Sequence, residues 1–297
     1  MPSSFRLPYR APYDWDAILS FLAARAIPGV ESVAEAAYAR TAVIEGNAGA
    51  LLVRPGRGAF LNVTAHFEKP VPRVAIASRV QRMFDLNADP AVIGAHLSRD
   101  RRLAPLIAAR PGLRVPGAWD GFELGVRAIL GQQITVVAAR GLAAKLAARL
   151  GETITHAKAN ALGLTHVFPD AARVAAADAD LSTLGMPRAR IAWLQALARA
   201  HLEDPTLFSS RLDVLTPLDD VIKKLRSLKG IGEWTAHYIA MRQLREPDAF
   251  PVGDVALMRA LANAKGVRPT AQQMLARAER WRPWRAYAAL HLWASLA

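Results

Sequence analysis

The strongest constraint on the fold is a change of apolar period near residue 90. Before it, the stretches 38–45 and 50–54 suit strands, and Leu61, Val63, Ala65 and Phe67 alternate with other residues at strand period. Pro55-Gly56-Arg57-Gly58 between them has turn chemistry, so a hairpin is expected across 50–67. Helical spacing flanks the hairpin, with Trp15, Ile18, Leu19 and Leu22 inside 14–26 and a second run across 71–84. After residue 90 almost every apolar stretch is helix-spaced. Arg110-Pro111-Gly112, Val115-Pro116-Gly117, Gly185-Met186-Pro187 and Thr216-Pro217 separate those stretches. An α+β protein is expected, with an N-terminal antiparallel sheet and its helices leading into a mostly helical core.

Charge narrows the partners. The 297 residues carry 38 Lys+Arg against 25 Asp+Glu, a net charge of +13. That excess attracts polyanions. There is no cysteine, which excludes disulfides, thiolate metal sites, iron–sulfur clusters and cysteine nucleophiles. The seven histidines are scattered, without a His-Glu-x-x-His pair. No apolar run reaches the ~18 residues of a membrane span, and Asp14, Asp16 and Arg25 interrupt any N-terminal signal sequence. A cytoplasmic monomer is expected.

The segment 216–254 carries the chemistry. Thr216 is placed to cap a helix, with Pro217 at its first position and Leu218, Val221, Ile222, Leu225 and Leu228 on one face. Gly230-Ile231-Gly232 should end that helix, and a second should run from Glu233 to about Leu244. Glycines permit positive φ and clear the turn of side chains, so a DNA phosphate can approach the amides that open the second helix. Lys223, Lys224, Arg226 and Lys229 add sequence-independent attraction, and Ile231 should plug the turn into the core. Beyond lies Phe250-Pro251-Val252-Gly253-Asp254. Taken alone, Asp254 is first a helix N-cap, and Trp234 and Tyr238 are an i, i+4 pair of packing aromatics. The stretch 281–285 reads as packing with arginine caps or a phosphate contact.

Leu228-Lys229-Gly230-Ile231-Gly232-Glu233-Trp234-Thr235-Ala236 and the later Pro/Gly loop with Asp254 resemble the helix-hairpin-helix DNA glycosylase superfamily. Pro12-Tyr13-Asp14-Trp15, Arg110-Pro111-Gly112-Leu113-Arg114, Gly125-Val126-Arg127-Ala128-Ile129-Leu130-Gly131-Gln132 and Glu279-Arg280-Trp281-Arg282-Pro283-Trp284-Arg285 extend the resemblance along nearly the whole chain. They resemble the bacterial 3-methyladenine DNA glycosylase II family, of AlkA type.

The resemblance implies an α+β domain over 1–91, a helical subdomain from 92–120 and 247–297 carrying the catalytic aspartate, and a second helical subdomain over 121–246. It implies Asp254 as the catalytic carboxylate, and Trp234, Tyr238 and Trp293 as the pocket for an extruded base. Lys229, Gly230, Ile231 and Gly232 would grip the DNA backbone together with Gln132 and Gln133, and Gln133 would stand at the gap left by extrusion, where the best-known member type has an apolar wedge. An aromatic pocket should favour cationic alkylated bases by cation–π attraction.

Strand-cutting relatives carry a Schiff-base lysine two residues after the second hairpin glycine, a place held here by Trp234, so a monofunctional enzyme is implied. A monovalent cation on the backbone carbonyls of 228–232 is also implied, and no cofactor. The resemblance gives as partner damaged double-stranded DNA, with the protein associated with a bacterial nucleoid. The alternatives are a glycosylase for deaminated or oxidised bases, and a non-catalytic DNA-binding module.

Overall fold

The computed structural model describes residues 3–177, 181–209 and 216–296. Its N-terminal sheet has five antiparallel strands in the order β1-β5-β4-β3-β2: β1 Ser3–Pro8, β2 Glu31–Ala34, β3 Ala37–Ile44, β4 Asn47–Pro55 and β5 Phe60–Phe67. The expected hairpin is the β4–β5 pair, with Val53 opposite Val63 and Leu51 opposite Ala65. Helices α1 (Trp15–Arg25) and α2 (Arg73–Met83) lie on the sheet, and Ile18, Leu22, Ile76 and Val80 are buried with Leu51, Val53 and Val63. Asp14 starts α1 by accepting the Ala17 amide.

The two strands absent from the sequence reading are both edges, β1 and β2. β1 turns only Phe5 and Leu7 inward, and β2 has four residues. Segments so short carry too little alternation to declare themselves, and their pairing partners specify them.

From α3 (Pro90–Leu97) and α4 (Ala104–Ala109) onward the described residues form helices. The later ones are α5 (Gly121–Leu130), α6 (Val136–Leu150), α7 (Ala157–Ala161), α8 (Ala171–Ala176), α9 (Arg188–Glu203), α10 (Leu218–Arg226), α11 (Glu233–Arg242), α12 (Val255–Ala260), α13 (Ala271–Ala278) and α14 (Arg285–Ala294). One apolar cluster runs through all of these but α7 from Ile27 to Leu292, while α7 buries Ala159 in a smaller cluster with Ala39 and Ala50 of the sheet. The larger cluster crosses residues 91, 120 and 246, so the three-part division remains a proposal. None of the helices described is long and apolar enough to cross a membrane.

A buried ion network joins the sheet to α5. Arg40 on β3 meets Glu123 at 2.6 Å, Arg127 meets both Glu123, at 2.7 Å, and Glu31, and the Tyr38 hydroxyl donates to Glu31 at 2.6 Å. These opposed charges leave little bare charge in the seam, as buried ions require.

Candidate active site

The hairpin forms where expected, one residue late at its start. Pro217, not Thr216, precedes the first helical residue and caps no amide with a side chain. The α10 helix buries Ile222 and Leu225, and Ile231 sinks into the core as expected. The two glycines differ. Gly230 has φ +87°, and a Cβ there would lie 2.6 Å from the Trp193 ring, so both conformation and packing require glycine. Gly232 has an extended backbone (φ −81°), and a Cβ there would meet nothing within 4 Å. Its openness leaves room outside the protein.

Lys229 and Gly232 are exposed at this tip. Lys224 pairs with Asp204 at 2.8 Å, and Arg226 reaches Glu233 at 3.9 Å. Among the described residues no carboxylate pairs with Lys223 or Lys229. Gln132 braces the turn: its amide donates to the Gly230 carbonyl at 2.7 Å and lies 3.4 Å from the Thr235 hydroxyl. Gln133 is exposed beside it with φ +60°, a left-handed conformation unusual for a side chain of its length.

The loop before α12 places Asp254. The His237 ring accepts the Phe250 amide at 3.3 Å, which ties the loop to α11, and burial holds that imidazole below its usual pKa. Gly253 turns the chain at φ +80°. Asp254 then caps α12 through the Leu257 amide, 2.8 Å from Oδ1. The same carboxylate accepts two indole N–H groups, from Trp234 at 2.8 Å on Oδ2 and from Trp293 at 3.0 Å on Oδ1. The helix-cap reading and the aromatic pocket thus meet at one group. Asp248 lies elsewhere, held by Arg282 and Arg285, and Trp281 is buried, so the 281–285 stretch is packing and ion pairing.

Trp234 and Tyr238 stack, with ring centroids 5.0 Å apart and planes 14° from parallel. They line a cavity of ≈ 1500 Å³ together with Asp254, Trp293 and, at its rim, Gln133 and Lys229. Arg242, one turn beyond Tyr238, is buried and also lines it. Its guanidinium donates to the Tyr238 oxygen at 2.6 Å and to the carbonyls of Pro116 and Gly117 at 2.8 and 3.0 Å. Among the described residues it has no carboxylate partner. Burial opposes ionisation of the Tyr238 phenol, yet the charges of Arg242 and Arg25 outweigh it and lower the pKa. Phe21 carries both cations on its ring, Arg25 at 3.8 Å and Arg242 at 4.9 Å.

The fold and its sequence match known families end to end. Residues 4–120 match the AlkA N-terminal domain, and residues 126–286 match the HhH-GPD superfamily base excision DNA repair protein model. DNA-3-methyladenine glycosylase 2 of Escherichia coli is 38% identical over 293 residues, covering 97% of this chain and 96% of that protein. DNA-3-methyladenine glycosylase of Bacillus subtilis is 30% identical, covering 74% of this chain and 72% of that protein. The solved structure of a 3-methyladenine DNA-glycosylase from Archaeoglobus fulgidus superposes with TM-score 0.82 at 24% identity, over 97% of each chain. The chain belongs to the HhH-GPD superfamily.

Within that superfamily frame, four side chains of this site carried no role in the sequence reading. Trp193 on α9 is the platform under Gly230, and Phe21, Arg25 and Arg242 border the aromatic pocket. Only Arg242 had a local signal, since 234, 238 and 242 fall on one helical face. The hairpin carbonyls suit a hard monovalent cation: those of Leu228, Gly230 and Gly232 each accept one hydrogen bond and keep a second lone pair. Among the described residues no cluster of His, Asp and Glu could hold a metal through side chains.

Proposed function

We propose that this DNA N-glycosylase of base excision repair is monofunctional, hydrolysing the N-glycosidic bond of N3- and N7-alkylated purines in duplex DNA. The observation that carries the reading is the Asp254 carboxylate, fixed by the two indoles that also line the cavity. Bond cleavage makes the sugar cationic at C1′, and a preorganised anion stabilises that charge without reorganising. The same carboxylate can orient the attacking water and take its proton. A target base inside the duplex cannot be reached, so it must be extruded into the pocket. Trp234 and Trp293 then give it stacking faces, with Tyr238 as the wall stacked behind Trp234. Alkylation at N3 or N7 makes the base a cation, which leaves as a neutral molecule and asks for little acid help.

Arginine already occupies the Tyr238 and Phe21 faces, at 5.1 Å and 4.9 Å for Arg242. The cation–π attraction expected from the sequence therefore falls to Trp234 and Trp293. The exposed tip at Lys229 and Gly232 takes the backbone phosphate, with Gly230 and Ile231 setting the turn and Gln132 bracing it. A monovalent cation on the carbonyls of Leu228, Gly230 and Gly232 would add positive charge there. Gln133 fills the gap in the stack, and its left-handed backbone, kept at the cavity rim, supports that role. Position 234 holds an indole, and the lysine that lines the cavity, Lys229, is exposed on the hairpin. Both facts support the absence of strand cleavage.

The test is base release from methylated duplex DNA, with mass-spectrometric identification of the free base. Asp254→Asn should lower the single-turnover rate by about 10²–10³-fold while duplex affinity stays near wild type. Equal release by both proteins rejects the assignment of Asp254, and a borohydride-trapped protein–DNA adduct rejects the monofunctional reading.

A further inference from the structure

Helix α11 runs from the exposed hairpin into the core, so Trp234, Tyr238 and Arg242 mark increasing depth along the pocket wall. The deepest of them is a guanidinium with carbonyl and phenol partners but, among the described residues, no carboxylate. A second guanidinium, Arg25, lies 3.8 Å from the centre of the Phe21 ring, half-buried and also lining the cavity. The buried carboxylates that line the same cavity, Glu31 and Glu123, are matched to Arg127 and Arg40. The inner end of the base pocket is therefore net positive. We infer that Arg242, with Arg25, is a specificity-determining group that stabilises negative charge growing on the departing base, acting in part through the Tyr238 hydroxyl.

This inference rests on the base-excision reading above and deepens it, assigning the side chains that set the balance between cationic and neutral bases. When the C1′–N bond breaks, both electrons stay on the ring nitrogen. Water adds its oxygen to C1′ and gives a proton to Asp254, from which it passes to solvent or to the free base. A cationic alkylated base goes from +1 to 0 in this step, and a neutral base goes from 0 to −1. The change in charge is the same, so a positive pocket end speeds the bond-breaking step for both. The cost falls differently. The cationic base is repelled when it enters, and that repulsion is relieved as the bond breaks. The neutral base enters without repulsion and keeps the whole gain. The pocket end thus raises overall efficiency only for neutral lesions, since only interactions stronger in the transition state than in the free state do so.

The experiment is single-turnover kinetics on duplexes holding one 7-methylguanine or one hypoxanthine, the cationic and neutral probes. In Arg242→Gln the maximal rate should fall about tenfold on both, while half-saturation tightens to match on 7-methylguanine alone. The efficiency ratio of hypoxanthine to 7-methylguanine then falls about tenfold. Arg242→Lys restores the charge and should recover most of the ratio. Arg25→Gln, on a half-buried side chain, should move the ratio the same way by less, and it decides the matter if Arg242→Gln does not fold. Equal loss of efficiency on both probes overturns the inference, as does wild type that releases 7-methylguanine but never hypoxanthine. Release of neither base would instead overturn the proposed function.

Discussion

The seam between sheet and helices and the inner end of the pocket both bury guanidinium groups, and they handle the charge in opposite ways. At the seam, Arg40 and Arg127 face Glu123 and Glu31 at hydrogen-bonding distance. In the pocket, Arg242 faces two carbonyls and a phenol. Burying a charge is costly, so chains neutralise it where position is its only purpose. A cation left without a counter-charge keeps its potential for whatever enters beside it. The contrast separates an architectural charge from one aimed at a ligand, within one molecule and one helix length.

That contrast fails or holds on stability. Glu123→Gln strips Arg40 of its carboxylate and should cost about 3–5 kcal/mol in urea denaturation. Arg242→Met removes hydrogen bonds but no ion pair, and should cost only about 1–3 kcal/mol. Equal costs at the two sites would mean that Arg242 is architectural as well.

The two hairpin glycines form a second comparison at smaller scale. Gly230→Ala forces a side chain into a left-handed backbone and against Trp193, for an expected loss of about 2–4 kcal/mol. Gly232→Ala faces neither obstacle, so its stability should change by less than about 0.5 kcal/mol. If a phosphate approaches there, duplex affinity should still fall about tenfold, the scale of one charge-assisted hydrogen bond. A fluorescence titration in which Gly232→Ala binds duplex as wild type does would move the phosphate contact elsewhere.

What the sequence discloses follows the range of the interactions. The β4–β5 hairpin, the α10–α11 turn and the Asp254 cap rest on neighbours within a few residues, and each is readable from local pattern. The capping role expected of Thr216 also rests on local pattern and lies one position early, because the helix begins at Leu218 and Pro217, which has no side-chain acceptor, holds the cap position. The two edge strands need partners far along the chain. So does the inner pocket: nothing near Phe21 or Arg25 announces Tyr238, and nothing near Gly230 announces the Trp193 ring. The bonds from Trp234 and Trp293 to Asp254 fall between these limits. The family resemblance brought the three residues together, but only the fold shows the indole nitrogens, rather than the ring faces, turned to the carboxylate.

A third way of burying a titratable group is to keep it neutral, and the smallest of the expected effects comes from it. His291 sits on α14, two residues before Trp293, and burial, reinforced by Arg110, pushes its pKa down to about 4 from 6.5. The unfolded chain therefore takes up a proton that the folded chain refuses between those values. Stability is complete above about pH 6.5 and declines as the pH falls toward 4, with a loss of about 2 kcal/mol by pH 5. His237 shifts in the same direction through burial and adds to the slope. Chemical denaturation at pH 7 and pH 5 measures the difference, and His291→Gln should remove most of it. A variant that keeps the full acid loss would place the sensitive group elsewhere. A wild type equally stable at both pH values would show that α14, and with it the indole that holds Asp254, tolerates a charged imidazole.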